Sequence, residues 1–542
     1  MYFRISLLVV FLWSFSNIDL NAQFSHQDTL RGTWSAERSW WDLKYYHLDI
    51  KVDPSTKSLD GSVEMMYEVL ESRQVLQIDL QAPLKIKAVN DDRGNTLNVR
   101  QDGNAHFVTL KNQQKKGAIN TIIVHYAGKP TEAKRPPWDG GITWTKDENG
   151  KPFIHSTCQG IGASIWWPCK DHMADEPDSV LMSINVPEDL LDVSNGKLRK
   201  VEPKNDGTKT WHWFVGNPIS NYVININIGD YVHFAEKYKG EKGILDLDYY
   251  VLPYNLEKAK KQFKDVPRMM EAFEHWFGPY PFYEDGFKLV DVSYPGMEHQ
   301  SSVTYGNGYE NGYGGRDGSG TGHGYKFDFI IIHESGHEWF ANNITYKDVA
   351  DMWIHESFTN YSESLFLDYH YGKKVGQEYV RGTRKQIGNY EPIIGTYGVN
   401  KSGSGDMYVK GGNMLNTIRA IVNDDEKWRS ILRGLNEEFY HHTVTTEQIE
   451  GYIIEKSGEK LQSVFDQYLR DVRVPMLEYF IKDGALFYRW GNAISDFEMP
   501  VDVFSEDGIK RIYPQVRRWN STPYKGELKV DPNYYISVLQ AF

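Results

Sequence analysis

Cysteine is nearly absent. Cys158 and Cys169 are the only two in 542 residues, which excludes a fold stapled together by disulfides. They lie in one short segment and are either a disulfide pair or two buried thiols, a choice that spacing alone does not make. Long apolar runs are absent too. The eleven apolar residues Ile5–Phe15 are too short to cross a bilayer as a helix, and no other stretch is long and apolar enough. Positive charge is in deficit: 60 Lys and Arg face 73 Asp and Glu, for a net charge of −13 and a pI near 5.8. With no basic stripe interleaved with aromatics, this balance argues against nucleic acid as a partner. No internal repeat of fixed period is visible, which excludes a repeat array. Low complexity is confined to one glycine-rich stretch.

What is present fits a large soluble globular protein. Apolar residues make up 40% and charged residues 25%. The length calls for two to four domains. Aromatics reach 14%, with 35 Tyr and 16 Trp, a composition suited to large β-rich cores. Arg4, the apolar run Ile5–Phe15 and the small-residue site Leu20-Asn21-Ala22 read as a signal peptide over residues 1–22. The mature chain then starts near Gln23 and is exported, to a periplasm or out of the cell. No cysteine follows the cut to carry a lipid anchor.

The most informative stretch is His333-Glu334-Ser335-Gly336-His337. Residues four apart on a helix share one face, one turn apart. Two imidazoles at that spacing can grip one zinc ion, with Glu334 beside it as general base for a water molecule. The bland alternative, two histidines on a helix surface, sits poorly with the mostly apolar Phe327–Ile332 just ahead, which suits a buried helix. A zinc site of this kind needs a third protein ligand. Eighteen residues after His337 stands Glu356, in Ile354-His355-Glu356-Ser357-Phe358-Thr359.

An HExxH, eighteen residues and a Glu resemble the zinc aminopeptidases of the aminopeptidase N and leukotriene hydrolase family, the gluzincin aminopeptidases. Glu338-Trp339-Phe340-x-Asn342 is similar to that family's H-x-W-F-x-N run. The resemblance implies one Zn²⁺ per chain, held by His333, His337 and Glu356. His355 is then a decoy, since its own motif ends in Thr359. Pro295-Gly296-Met297-Glu298-His299 resembles the family's G-x-M-E-N exopeptidase motif, with Pro295 for the first Gly and His299 for Asn. This implies that Glu298 binds the free α-amino group of a peptide, with Gly296 and Met297 beside it. The two replacements bear on subsite shape more than on the amine anchor. Gln159, in His155-Ser156-Thr157-Cys158-Gln159-Gly160, matches a family position that touches the substrate's amino end. Tyr408, in Asp406-Met407-Tyr408-Val409-Lys410-Gly411, resembles the Y-E-K-G segment whose Tyr supports the tetrahedral intermediate, with Val409 in place of Glu. Glu363 lies seven residues past Glu356, on the same helix face. It is either a hydrogen-bond acceptor for a ligand imidazole or an ordinary helix charge.

The expected fold is α+β and multidomain. Residues 23–235 alternate as short strands and resemble the family's N-terminal β-saddle. Tyr46, Leu48, Ile50 and Val52, then Val63, Met65, Tyr67 and Val69 after Asp60-Gly61, form an antiparallel pair. Residues 236–474 resemble a thermolysin-like α/β catalytic domain. There, Pro267 kinks or splits a helix that begins at Asn255, and Thr445-x-x-Gln448 signs a capping box. Residues 475–542 resemble a small β-sandwich, with no room before Phe542 for a C-terminal helical superhelix. A more open cleft follows. The glycine-rich stretch Gly306–Gly324 lacks the Gly-Lys-Ser/Thr of a phosphate loop and reads as a mobile surface loop at the cleft rim, or as a lid.

The whole reads as a zinc aminopeptidase that takes the first residue from peptides with a free N-terminus. Rival readings are a related zinc hydrolase, either endopeptidase or epoxide hydrolase, and a non-catalytic binding module. The last would have lost a ligand or the base, yet all are present. Neither the preferred first residue nor the oligomeric state is written in the sequence.

Overall fold

A computed structural model describes residues 24–541; the expected signal peptide lies outside them. The first large element is a seven-stranded sheet. In spatial order it runs Lys197–Pro203, Thr208–Val215, Ser179–Pro187, Trp41–Asp53, Ser58–Val69, Ile119–Gly128 and Lys85–Asp91. The anticipated pair, Trp41–Asp53 with Ser58–Val69, is antiparallel, and its apolar alternation is buried. Its turn begins at Asp53-Pro54-Ser55, where the sequence breaks the run. Asp53 Oδ1 accepts the Ser55 amide at 2.9 Å, and Lys57 takes a left-handed φ of 53°. Lys85–Asp91 and Asn98–Asp102 went unread in the sequence because each is an edge strand with exposed polar faces and no clean alternation.

The catalytic region opens with a five-stranded sheet ordered Val232–Gly240, Gly243–Val251, Phe287–Asp291, Val303–Tyr305 and Gly296–Met297. Its first strand straddles the expected 235/236 boundary. Tyr250, Val290, Val292, Tyr294 and Met297 of this region pack into the N-terminal apolar core rather than their own. Around the sheet lie helices. Pro267 falls in the first turn of Asp265–Phe277, following the separate helix Leu256–Gln262. A first-turn position leaves no backbone donor missing, because the first N–H groups of a helix have no partner anyway. The capping box at Thr445 is formed, the Thr445 amide donating to Gln448 Oε1 at 2.9 Å.

Past residue 475 come two small sheets of four and three strands. Their core residues, among them Leu477, Trp490 and Val501, join the same apolar cluster as the catalytic helices. No helical superhelix occurs among the described residues, and no helix there is long and apolar enough to cross a membrane. Cys158 and Cys169 are buried free thiols.

One buried carboxylate fastens the helix that carries the HExxH motif, Phe329–Gly336. Asp328 caps it, accepting the Ile330 amide at 3.1 Å. The same side chain accepts from the Tyr305 hydroxyl at 2.7 Å, Gln262 Nε2 at 2.8 Å and Asn307 Nδ2 at 2.9 Å. Asp328→Ala removes the cap and strands three donors, for an expected loss of about 2–4 kcal/mol. The check is the urea midpoint of unfolding. An unchanged midpoint would show that Asp328 does not hold this helix.

Candidate active site

The HExxH helix ends where its motif ends, with His337 at the C-cap. His333 and His337 therefore lie on its last turn, their rings 5.1 Å apart and nearly perpendicular. Beside them runs the buried helix Trp353–Tyr371, which presents Glu356 and Glu363. Glu356 Oε2 lies 3.4 Å from His337 Nε2 and 3.8 Å from His333 Nε2. Three ligands ~2.1 Å from a tetrahedral zinc lie ~3.4 Å from one another, so the spacing fits. Three further observations point the same way. Glu356 Oε2 is buried and has no hydrogen-bond partner. His333 Nδ1 donates to Glu363 Oε1 at 2.9 Å, and His337 Nδ1 donates to the Phe340 carbonyl at 3.1 Å. With both Nδ1 positions protonated, both Nε2 lone pairs point at the common centre. His355 is no part of it: its Nε2 accepts the Tyr346 amide at 3.2 Å, away from the centre.

Glu363 is thus an acceptor for a ligand imidazole, and it is itself held. The Tyr379 hydroxyl donates to its Oε2 at 2.6 Å, and Asn360 Nδ2 donates to its Oε1 at 3.2 Å. Glu334 lines the same cleft. Burial lifts its carboxyl to about 7, with the charges of Glu298 and Glu356 adding to the lift against the pull of His333. A dication at the centre would oppose that lift and favour the carboxylate form of Glu334.

Glu298 follows the edge strand Gly296–Met297 and is buried. Its Oε1 accepts from Gln159 Nε2 at 2.7 Å and from the Tyr222 hydroxyl at 3.0 Å. Gln159 also reaches Glu356 Oε1 at 3.0 Å, bridging the two carboxylates. Asn342, the last residue of the H-x-W-F-x-N-like run, donates to the Glu298 carbonyl at 2.9 Å. Gly296 is where it is because a Cβ there would sit 2.6 Å from Ile330 Cγ2 and 3.0 Å from Glu334 Cγ. Only a residue without one lets the strand lie on the HExxH helix.

Of the two departures from the exopeptidase pattern, Pro295 lines the cleft and His299 does not. His299 is fully buried without a protein hydrogen-bond partner, and burial pulls its pKa down to about 3, so it is a neutral ring. Tyr408 caps the helix Val409–Val422 and lines the cleft. A Cβ on Gly411 would lie 1.8 Å from Ser357 Oγ, so this glycine lets the Tyr408 helix close on the Glu356 helix. Burial, with the charge of Glu356 beside it, raises the Tyr408 phenol well above its ordinary range and keeps it a donor.

All the anticipated residues therefore meet in one cleft of about 540 Å³, entered past the exposed Trp138. Sequence reasoning missed Tyr222, Tyr379 and Asn360. Asn360 lies one helical turn past Glu356 and could have been found by spacing. Tyr222 and Tyr379 carry no local signal.

Comparison with known proteins agrees with this geometry. Residues 43–223 match the Peptidase M1 N-terminal domain, and residues 261–468 match the Peptidase family M1 domain. Aminopeptidase N of Lactococcus lactis is 22% identical over 534 residues, covering 90% of this chain and 57% of that protein. Endoplasmic reticulum aminopeptidase 1 of Mus musculus is 22% identical, over 68% of this chain and 42% of its own length. Leucyl aminopeptidase of Saccharolobus solfataricus is 22% identical, over 68% and 46% respectively. The chain thus spans about half the length of the curated relatives it matches. In structure, it is similar to a mutant M1 zinc metallopeptidase of Deinococcus radiodurans bound to a Tyr-Ser-Ala substrate. The TM-score is 0.67 at 19% identity, covering 82% of this chain and 97% of that one. With both domain matches falling on the two walls of one cleft, the chain belongs to peptidase family M1.

Proposed function

We propose that the protein is a zinc aminopeptidase that releases the first residue of peptides with a free N-terminus. One observation carries this reading: a buried carboxylate, Glu298, stands beside the His333–His337–Glu356 cluster and is joined to it through Gln159. Such a carboxylate pairs with an ammonium group and fixes the chain's first residue at the centre. A blocked or internal peptide would leave it buried and unpaired, which is costly.

Zinc held by His333, His337 and Glu356 supplies a Lewis acid that polarises the first peptide carbonyl and acidifies a water molecule. The rest of the chemistry falls to side chains. Glu298, steered by Gln159 and Tyr222, holds the ammonium. Glu334 takes the proton of the attacking water and passes it to the departing amine. The Tyr408 hydroxyl donates to the carbonyl oxygen as charge develops there. Export is part of the same reading, supported by Arg4, the run Ile5–Phe15 and Leu20-Asn21-Ala22.

The test pairs aminoacyl reporter substrates with their N-acetylated forms, with and without a chelator. Cleavage of the free-amine substrates alone, lost with chelator and restored by Zn²⁺, is the expected result; equal cleavage of acetylated substrates would sink the Glu298 anchor. Glu334→Gln is expected to lower kcat about 10²–10⁴-fold with zinc content unchanged. Glu363→Ala should weaken zinc binding about 10–100-fold in a chelator competition, and unaltered affinity would demote Glu363 to an ordinary helix charge. Tyr222→Phe should raise KM for free-amine substrates about tenfold with little change in kcat, since a hydrogen bond to a charged group is lost.

A further inference from the structure

The glycine-rich stretch Gly306–Gly324 has no role in the chemistry above, yet Tyr313 and Gly318 line the cleft. Its backbone is tied down rather than free. Tyr313 and Arg316 exchange backbone hydrogen bonds of 2.9 and 3.2 Å across Gly314 and Gly315, whose φ values are +54° and +75°. Positive φ at both central positions is the primed turn geometry that glycine adopts without strain. Asn307 fastens the turn from below: its Nδ2 donates to the Gly312 carbonyl at 2.8 Å, and its Oδ1 accepts the Gly314 amide at 2.7 Å. The Asn307 side chain also reaches Asp328, the cap of the HExxH helix. On the far side, Gln386 Nε2 donates to the Gly318 carbonyl at 2.7 Å. The glycines therefore serve a fixed turn that presents one ring.

That ring has a definite place along the cleft. Gln159 and Glu298 mark the amine end, and Gln159 touches Glu356. At the other histidine, Phe329 stacks on His333 at 5.1 Å, one helical turn before it. Tyr313 stands edge-on to Phe329 at 5.2 Å and 74°. Glu334, which protonates the departing amine in the proposed reaction, lines the cleft with both. A peptide held by its ammonium at Glu298 and crossing the centre to the His333 side meets Phe329 and Tyr313. Tyr313 is 40% exposed although it is aromatic and firmly held. A fixed, uncovered ring next to a second ring is a surface that a third apolar group can cover with little loss of conformational entropy.

We propose that Tyr313 and Phe329 form the subsite for the side chain of the second substrate residue, on the leaving side of the scissile bond, and that this subsite prefers aromatic or large aliphatic side chains. The inference deepens the aminopeptidase reading and rests on it. Tyr313 is a specificity-determining residue here, with no part in bond breaking.

The experiment measures kcat/KM on a series of peptide amides that share the first residue the enzyme cleaves best and carry Phe, Leu, Gly or Asp in second place. The wild-type enzyme should favour Phe over Gly by about tenfold or more, since covering an apolar side chain of that size is worth at least that factor. Tyr313→Ala should lower that Phe-to-Gly ratio about tenfold, while Tyr313→Phe, which keeps the ring, should preserve it. A wild-type enzyme indifferent to the second residue overturns the proposal, as does a Tyr313→Ala variant that loses Phe and Gly substrates equally. Failure of the underlying aminopeptidase reading looks different: the wild-type enzyme then cleaves none of the series, or cleaves the N-acetylated series equally well.

Discussion

Four carboxylates, Glu298, Glu334, Glu356 and Glu363, are buried around two imidazoles. Removing that much negative charge from water is costly unless it is paired. Among the described residues, no Lys or Arg lines the cleft. What offsets the cost is donated piecemeal: Gln159 and Tyr222 to Glu298, Tyr379 and Asn360 to Glu363, and His333 between Glu363 and the centre. Glu356 Oε2 and Glu334 are left over, one without a partner and the other lifted to about 7 by burial. This residual charge calls for a dication at the point where the two Nε2 lone pairs meet. In the proposed reaction, a second cation, the ammonium of a peptide, pairs with Glu298.

The setting of Glu298 is built between domains. Its two donors, Gln159 and Tyr222, come from the N-terminal β domain, and its carboxylate comes from the edge of the catalytic sheet. The segment after Glu298 is clamped from both sides. The N-terminal domain's Asn195 donates to the Gln300 carbonyl at 2.7 Å, and the Gly196 amide donates to Ser301 Oγ at 2.8 Å. From below, Glu338 accepts the Ser301 amide at 3.0 Å. A rigid anchor at an interdomain seam is the preorganisation that lets binding energy be used for orientation rather than for ordering the site.

The C-terminal sheets act on the site at one remove. Arg511 donates to the Ile421 and Ala420 carbonyls, at 2.7 and 3.1 Å, which end the helix that Tyr408 begins. Arg384 crosses the other way, to the Pro532 and Asn533 carbonyls at 2.8 and 3.1 Å. A shared apolar core makes this small domain a brace on the Tyr408 wall rather than an independent lobe.

Much of this was legible in the linear chain because its causes are local. The period of a helix places His333 and His337 on one face. Eighteen residues, among them the short strand Ile344–Tyr346, carry the chain to a second helix with Glu356, and seven more residues bring Glu363 to the same side. The alternation of Tyr46, Leu48, Ile50 and Val52 announces its strand because one face is buried. Residues whose role depends on a distant partner left no such trace. Tyr222 matters only because a domain 76 residues away in sequence brings Glu298 to its hydroxyl. The glycine-rich stretch, read as a mobile rim, is a fixed turn because Asn307, Gln386 and Asp328 hold it, and no spacing rule encodes those contacts. Helix periodicity put His333 and His337 on one face, and the resemblance to a known family added Glu356. Only the tertiary fold, by bringing donors across a domain seam, decided which side chains hold the buried Glu298 carboxylate.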